Sequence, residues 1–294
     1  ASASVGDTIE FVDYAGTFDT NALTLDPQSL NLKGASSTAF LSDERVGVRL
    51  VYADATQGWV TVTGVNETLQ AAKRVFSATG GTEVESGGYK YHTFTASGNF
   101  VVSGEAGTVE YMMVGGGAGA GTGGTTLCPG GGGAGGLISD STSVSPGTHA
   151  VVIGGGGAID TNGVDSTWFS LTASGGGAGG AFTGEAGSSG GSGGGGGAAS
   201  ASGGSGTAGQ GSAGGNADAR TGGGGGGKSA VGATASSSIG AAGGAGTNTY
   251  SAWATATSTG DGGYYAGGGG SGTPVGATAG GAGGAGGGGD GGDQ

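Results

Sequence analysis

The chain has 294 residues, of which 83 are glycine and 4 are proline, and its formal charge is −13. Collagen is excluded, because a triple helix needs glycine at every third position with abundant proline, and the run Gly222–Gly227 breaks that frame. The acidic balance argues against nucleic-acid binding, no apolar run reaches the length of a membrane-spanning helix, and a single cysteine, Cys128, supports neither intrachain disulfides nor a metal cluster.

In chain order, "TIEFVDY" (Thr8–Tyr14), "VGVRLVYA" (Val46–Ala53) and "GWVTVTGV" (Gly58–Val65) read as strands by their β-branched content and period-two alternation. "DPQS" (Asp26–Ser29) reads as a turn. "NETLQAAKRVF" (Asn66–Phe76) fits a short helix or a strand, and no other helix is expected. "YKYHTFTASGNFVV" (Tyr89–Val102) is expected to form a hairpin turning at Ala96–Asn99. "TVEYMMVGGG" (Thr108–Gly117) is a strand running into glycine, two strands flank the "SPGT" turn within Gly135–Gly157, and "STWFSLTASGGG" (Ser166–Gly177) supplies one last strand. The expected domains are an N-terminal β module over 1–66, a connecting strand or linker over 67–88, and a glycine-rich domain over 89–294, divided into a β scaffold (89–171) and a glycine array (172–294).

Only 13 of the 83 glycines lie in residues 1–114, and the other 70 lie beyond. Residues 172–294 hold eight large apolar side chains: Phe182, Val231, Ile239, Tyr250, Trp253, Tyr264, Tyr265 and Val275. Burying these cannot offset the entropy of ordering so glycine-rich a segment. It is therefore a flexible linker or a backbone that pairs with itself. Packed polyglycine-II helices are the ordered solution: three residues per turn, no internal hydrogen bonds, and a surface bare enough for N–H···O=C and Cα–H···O contacts between neighbours. Recurrent glycine runs, scarce charge and aromatics confined to the breaks favour order. The expected fold is thus all-β: a small N-terminal β module, then a β-sandwich that runs into an array of packed polyglycine-II helices.

Residues Ser77–Ser139 and "SVSPGTHAVVIGGGG" (Ser143–Gly157) resemble the glycine-rich domain of bacteriophage tail-fibre and other virion appendage proteins. The matching elements are "HTFT..G.F.V" (His92–Val101), the step "VEYMMVGGGAGAG" (Val109–Gly121) and "V.PGT..VVIGGGG" (Val144–Gly157). Residues 5–65 are similar to a β module that precedes it in marine-phage proteins, with "GDTIEFVD" at its start and "VRLVYADATQGWVTV" at its end. The resemblance implies an extracellular virion protein, homotrimeric like most tail fibres. The N-terminal module would contact other virion proteins, and the loops would meet a host-surface glycan or outer-membrane protein. It implies no cofactor, no nucleic acid and no membrane insertion. The family's closing Ile/Val-rich strand does not follow the last glycine run here, so another chain or a further segment is expected to supply it.

No catalytic, metal or nucleotide site is expected. "GGGGGGKS" (Gly222–Ser229) matches a P-loop literally, but neither a buried strand before it nor a helix after it is expected. His92 and His149 have no metal-ligand neighbours in sequence. Cys128 has no base in view. Asp160, Asp165 and Asp218 fit Asx turns better than calcium ligation, and Asp43–Glu44 do not form an opposed acid pair. The candidate receptor-binding residues are the break aromatics Tyr250, Trp253, Tyr264, Tyr265 and Phe182, since aromatics give large, rigid contact area. The first four fall within Asn248–Gly268. Their alternative role is to pack against the array. The competing functions are a decoration or fibre-shaft protein without a receptor, and an ice-binding polyglycine protein, against which the aromatic interruptions argue.

Overall fold

A computed structural model describes residues 3–42, 45–63, 70–71, 76–236, 239–274 and 279–292. The chain divides into two compact units, 1–75 and 76–294. Most of the ambiguous segment Asn66–Phe76, together with Asp43–Glu44 and Val275, lies outside the described residues.

In the first unit the strands are β1 (Thr8–Val12), β2 (Leu23–Leu25), β3 (Ala39–Leu41), β4 (Gly47–Asp54), β5 (Gly58–Thr63) and β6 (Gln70–Ala71). They form two antiparallel sheets, ordered β1-β4-β5 and β2-β3-β6. The alternation of β4 buries Val48, Leu50 and Tyr52 on one face. Val48 and Leu50 share a core with Leu25, Leu32 and Leu41. At the "DPQS" turn the Gln28 N–H donates to Asp26 Oδ1, an Asx turn. Asp13 is buried beside this core. Burial pushes its carboxyl upward, but backbone N–H groups of Phe18, Thr17, Arg45 and Gly16 outweigh this and hold it below 3.8.

The second unit opens with β7 (Ser77–Thr79), β8 (Thr82–Ser86), β9 (Tyr89–Thr93), β10 (Gly98–Ser103) and β11 (Gly107–Val114), followed by β12 (Leu137–Val144), β13 (Gly147–Val152), β14 (Ser166–Trp168) and β15 (Leu171–Ala173). The segment expected to connect the domains, 67–88, supplies β6 to one unit and β7 and β8 to the other. A five-stranded sheet, ordered β15-β14-β13-β10-β7, faces the two-stranded ribbon β11–β12. Phe100 and Val102 of β10 and Trp168 of β14 pack there against Val109, Tyr111 and Met113 of β11 and Val144 of β12. This is the sandwich expected from the sequence.

Two expectations are corrected. Tyr89–Val102 is not a hairpin: β9 pairs with β8, whereas β10 pairs with β7 and β13. The turn is Gly87–Gly88, both at positive φ (59° and 80°), the geometry of a tight two-residue hairpin loop. The segment Ser166–Gly177 holds two strands, β14 and β15, which pair with each other.

The glycine segments form one hydrogen-bonded array that begins earlier than residue 172, because 115–136 and 154–165 take part. Its centre is Cys128–Gly136, and there the register advances by three residues. Cys128, Gly131 and Ala134 donate their N–H groups to the carbonyls of Arg220, Gly223 and Gly226, a parallel neighbour. Gly130, Gly133 and Gly136 donate to Gly180, Gly177 and Ser174, an antiparallel one. The carbonyls of Cys128, Gly131 and Ala134 accept from Ala198, Gly195 and Ser192, and those of Gly130, Gly133 and Gly136 accept from Gly121, Ala118 and Gly115. The Cα atoms are just as crowded. A Cβ on Gly131 would run into the Gly269 carbonyl, and one on Gly133 into that of Ser192. Backbone satisfaction replaces side-chain burial as the source of order.

Polar side chains close the ladder where a carbonyl is lacking. Asn162 and Asp165, three residues apart, accept from the N–H groups of Ala178 (2.8 Å) and Gly175 (2.7 Å) through Oδ1. Asn216 and Asp290 do the same for Gly203 and Gly283.

Candidate functional site

The break Asn248–Gly268 is a closed excursion from the array. Thr247 and Tyr265 exchange both backbone hydrogen bonds at its base (2.9 and 3.0 Å). Between them lies a helix, α1 (Ser251–Thr257), where none was expected. Alanines at 252, 254 and 256 favour it locally, and Ser258 ends it in the left-handed conformation. The chain then reverses at Asp261–Tyr264, whose two ends also exchange hydrogen bonds (2.9 Å each) across Gly262–Gly263. A chain of hydroxyls, Thr257 to Thr259 to Tyr265, ties α1 to the base at 2.7 Å per step.

This excursion covers the outer face of the β11–β12 ribbon and the β8–β9 hairpin. Tyr250 and Tyr265 pack with Met112, Val114 and Leu137. The Tyr250 hydroxyl donates to Ser139 Oγ. Trp253 stands edge-on to Tyr91 of β9, with ring centroids 6.3 Å apart, and 5.1 Å from Tyr250. Beneath it runs a groove of about 890 Å³, lined by Tyr91, Phe94, Tyr111, Trp168, Trp253 and Tyr265 among others. Trp168 Nε1 is buried there with no hydrogen-bond partner among the described residues.

Of the five candidate residues, the structure therefore brings together Tyr250, Trp253 and Tyr265. Tyr265 is turned inward as a packing and hydrogen-bonding residue. Tyr264 is half-buried, its hydroxyl 3.5 Å from Asn248 Nδ2. Phe182 lies elsewhere in the array, beside Gly124, where a Cβ would strike its ring. The sequence reading missed Tyr91, Tyr111 and Glu110. They sit in ordinary strands, and only the docking of α1 gives them a shared surface.

The other motif matches are occupied with structure. Every N–H from Gly223 to Ser229 donates to a protein carbonyl, so the P-loop-like run presents no cradle for phosphate. Lys228 Nζ donates to the carbonyls of Leu137 (2.8 Å) and Gly209 (2.6 Å), and burial lowers its pKa. Cys128 is fully buried, and that burial pushes its thiol upward, away from thiolate reactivity. His92 Nδ1 lies 2.9 Å from the Gly80 carbonyl and His149 Nε2 2.9 Å from that of Ser145. Asp218 makes the expected local turn, accepting from Arg220 and Thr221. Asp160 and Asp165 do not. They tie distant segments, through Thr122 and Gly175, because array ends need acceptors. Among the described residues no three His, Cys, Asp or Glu side chains gather as a metal site.

The family model for a glycine-rich domain matches residues 93–294. No curated protein matches the chain. The chain belongs to the glycine-rich domain family, and the match covers the whole array and strands β10 to β15, while β7, β8 and Tyr91 of β9 lie before it.

Proposed function

We propose that this member of the glycine-rich domain family is a non-catalytic appendage protein of a bacteriophage virion, and that the excursion Thr247–Tyr265 is its host-recognition element. The observation that carries the reading is the build of that excursion. It leaves and rejoins the array at one point, is braced by internal hydrogen bonds, and sets Trp253 on a rigid support. Rigid aromatics on a preorganised loop lose little entropy on contact, which suits recognition. The resemblance of His92–Val101, Val109–Gly121 and Val144–Gly157 to tail-fibre domains adds the virion, an extracellular setting and homotrimeric association. The N-terminal unit would join it to other virion proteins, and the receptor would be a cell-surface glycan or an outer-membrane protein. The glycine segments are read as polyglycine-II helices. A hydrogen-bond register that advances by three is what three residues per turn require.

The test is adsorption. Fluorescently labelled protein is incubated with a panel of marine bacterial isolates and scored by flow cytometry, and immunogold labelling locates it on phage particles. Binding to a subset of isolates that is lost in Trp253→Ala and weakened in Tyr264→Ala, with the melting temperature retained, is expected. Binding indifferent to both substitutions refutes the recognition role. The packing of Tyr250 and Tyr265 favours a second reading, a fibre-shaft or decoration protein, which predicts gold on the particle without cell binding.

A further inference from the structure

Beside the aromatic groove lies a smaller depression of about 280 Å³ with different chemistry. The register of β11–β12 sets Glu110 opposite Ser141 and Met112 opposite Ser139. Alternation along each strand then puts Glu110, Ser139 and Ser141 on one face, the face on which Tyr250 and Trp253 stand. The two rings are tilted by 53° to one another. Tyr111 and Asp140 complete the lining. The volume falls just below the range of drug-sized ligand sites, about 300–1,000 Å³, and suits a single sugar ring. It is open, and Glu110 and Ser141 are exposed.

We propose that this depression is a saccharide subsite that takes a neutral or amino hexopyranose. A pyranose has one face of C–H groups and a rim of hydroxyls. Trp253 and Tyr250 supply aromatic surface for the former. The Glu110 carboxylate has two acceptor oxygens for neighbouring hydroxyls, and Ser141 can donate or accept. The Tyr250 hydroxyl is committed to Ser139 and so fixes the wall. Charge sets the class of sugar. Glu110 and Asp140 line the site, no Lys, Arg or His does, and the chain carries −13 overall. Sialic and uronic acids are repelled, whereas an amino sugar gains a charge-assisted hydrogen bond to Glu110.

This deepens the host-recognition reading and rests on it for its biological sense. The full chain is applied to a printed array of defined oligosaccharides ending in glucose, galactose, mannose, glucosamine, N-acetylglucosamine, sialic acid or glucuronic acid. The best hit is then titrated by calorimetry into wild type, Glu110→Gln and Trp253→Ala. Binding to a neutral or amino hexose end is expected, weakened about tenfold in Glu110→Gln and more in Trp253→Ala, with the acidic sugars silent. Glu110 is exposed, so its variant keeps its fold even if Trp253→Ala does not. A silent array, a preference for acidic sugars, or affinity unchanged in Glu110→Gln overturns the subsite. Cell binding that survives both excess sugar and Glu110→Gln leaves host recognition standing and removes the saccharide. Sugar binding without binding to any cell does the reverse.

Discussion

Replacing Gly131 with alanine tests whether the array is held by backbone packing. Gly131 donates its N–H to Gly223 (3.0 Å) and accepts from Gly195 (2.8 Å), while its Cα faces the Gly269 carbonyl. A methyl group there meets backbone, which has no rotamer to retreat into. Overpacking costs about 1–3 kcal/mol, and disturbing two buried hydrogen bonds adds about 0.5–1.5 kcal/mol each. Restricting the unfolded chain returns only about 0.4–1 kcal/mol. The net loss is on the order of 2–5 kcal/mol. The control is Gly117→Ala. Gly117 is exposed and has nothing within 4 Å of its would-be Cβ, so only the unfolded-state gain applies. Differential scanning calorimetry of the full chain reads both. At about 2–4 °C per kcal/mol for a unit of this size, the Gly131→Ala transition falls by roughly 4–20 °C, while Gly117→Ala holds or rises slightly. If the two variants melt together, the segments are not in contact as described.

Three further outcomes follow from the same structure. The lowered Asp13 carboxyl stays ionised in the folded state at pH values where the unfolded chain already binds a proton, so stability of the first unit falls as pH drops through 3.8 toward the folded value. Thermal melting followed by the methyl resonances of Val48 and Leu50 should show this loss in wild type, and much less of it in Asp13→Asn; equal acid sensitivity would count against the role. Cys128 should resist iodoacetamide in the native protein and react once it is denatured, and rapid native alkylation would contradict its burial. Amide exchange should be slowest at Gly130, Gly131, Gly133, Ala134 and Gly136 and fast at the exposed Gly262, whereas uniform fast exchange would return the array to a flexible linker.

What could be read from the sequence follows the side chains. Strands with alternating apolar residues, such as Gly47–Asp54 and Gly107–Val114, were legible because one face must be buried. The steps from β11 and β13 into glycine were legible for the same reason. The false hairpin at Tyr89–Val102 arose where two turn signals compete: "ASGN" and "GG" both permit reversal, and only the pairing of β10 with β7 and β13 decides between them. Helix α1 was missed because its seven residues carry threonine and tryptophan among the alanines, and no side chain caps its start. The aromatic site was half legible. Tyr250 and Trp253 stand out in a glycine sea, but Glu110, Ser139 and Tyr91 look like any strand residues until α1 docks on them.

The array is a different case, because identical residues carry no register. Nothing in "PGGGGAGG" says that it runs parallel to 220–226 and antiparallel to 174–180 and 192–198. Every shift by three along such a run restores the same backbone contacts, so glycine alone would leave many near-equal alignments. The alternatives must be broken at the ends, and there the rare side chains act. Asn162 and Asp165 accept from Ala178 and Gly175, and Thr122 is held by Asp160. Lys228 reaches across to Leu137, where β12 leaves the array. A slip by three residues would take Lys228 away from the Leu137 carbonyl and leave one of the buried N–H groups of Ala178 and Gly175 without its side-chain acceptor, and a buried polar group without a partner is costly. The sparse polar residues thus fix the alignment that the glycines make possible, and the β11–β12 ribbon passes that alignment on to the surface where Trp253 stands.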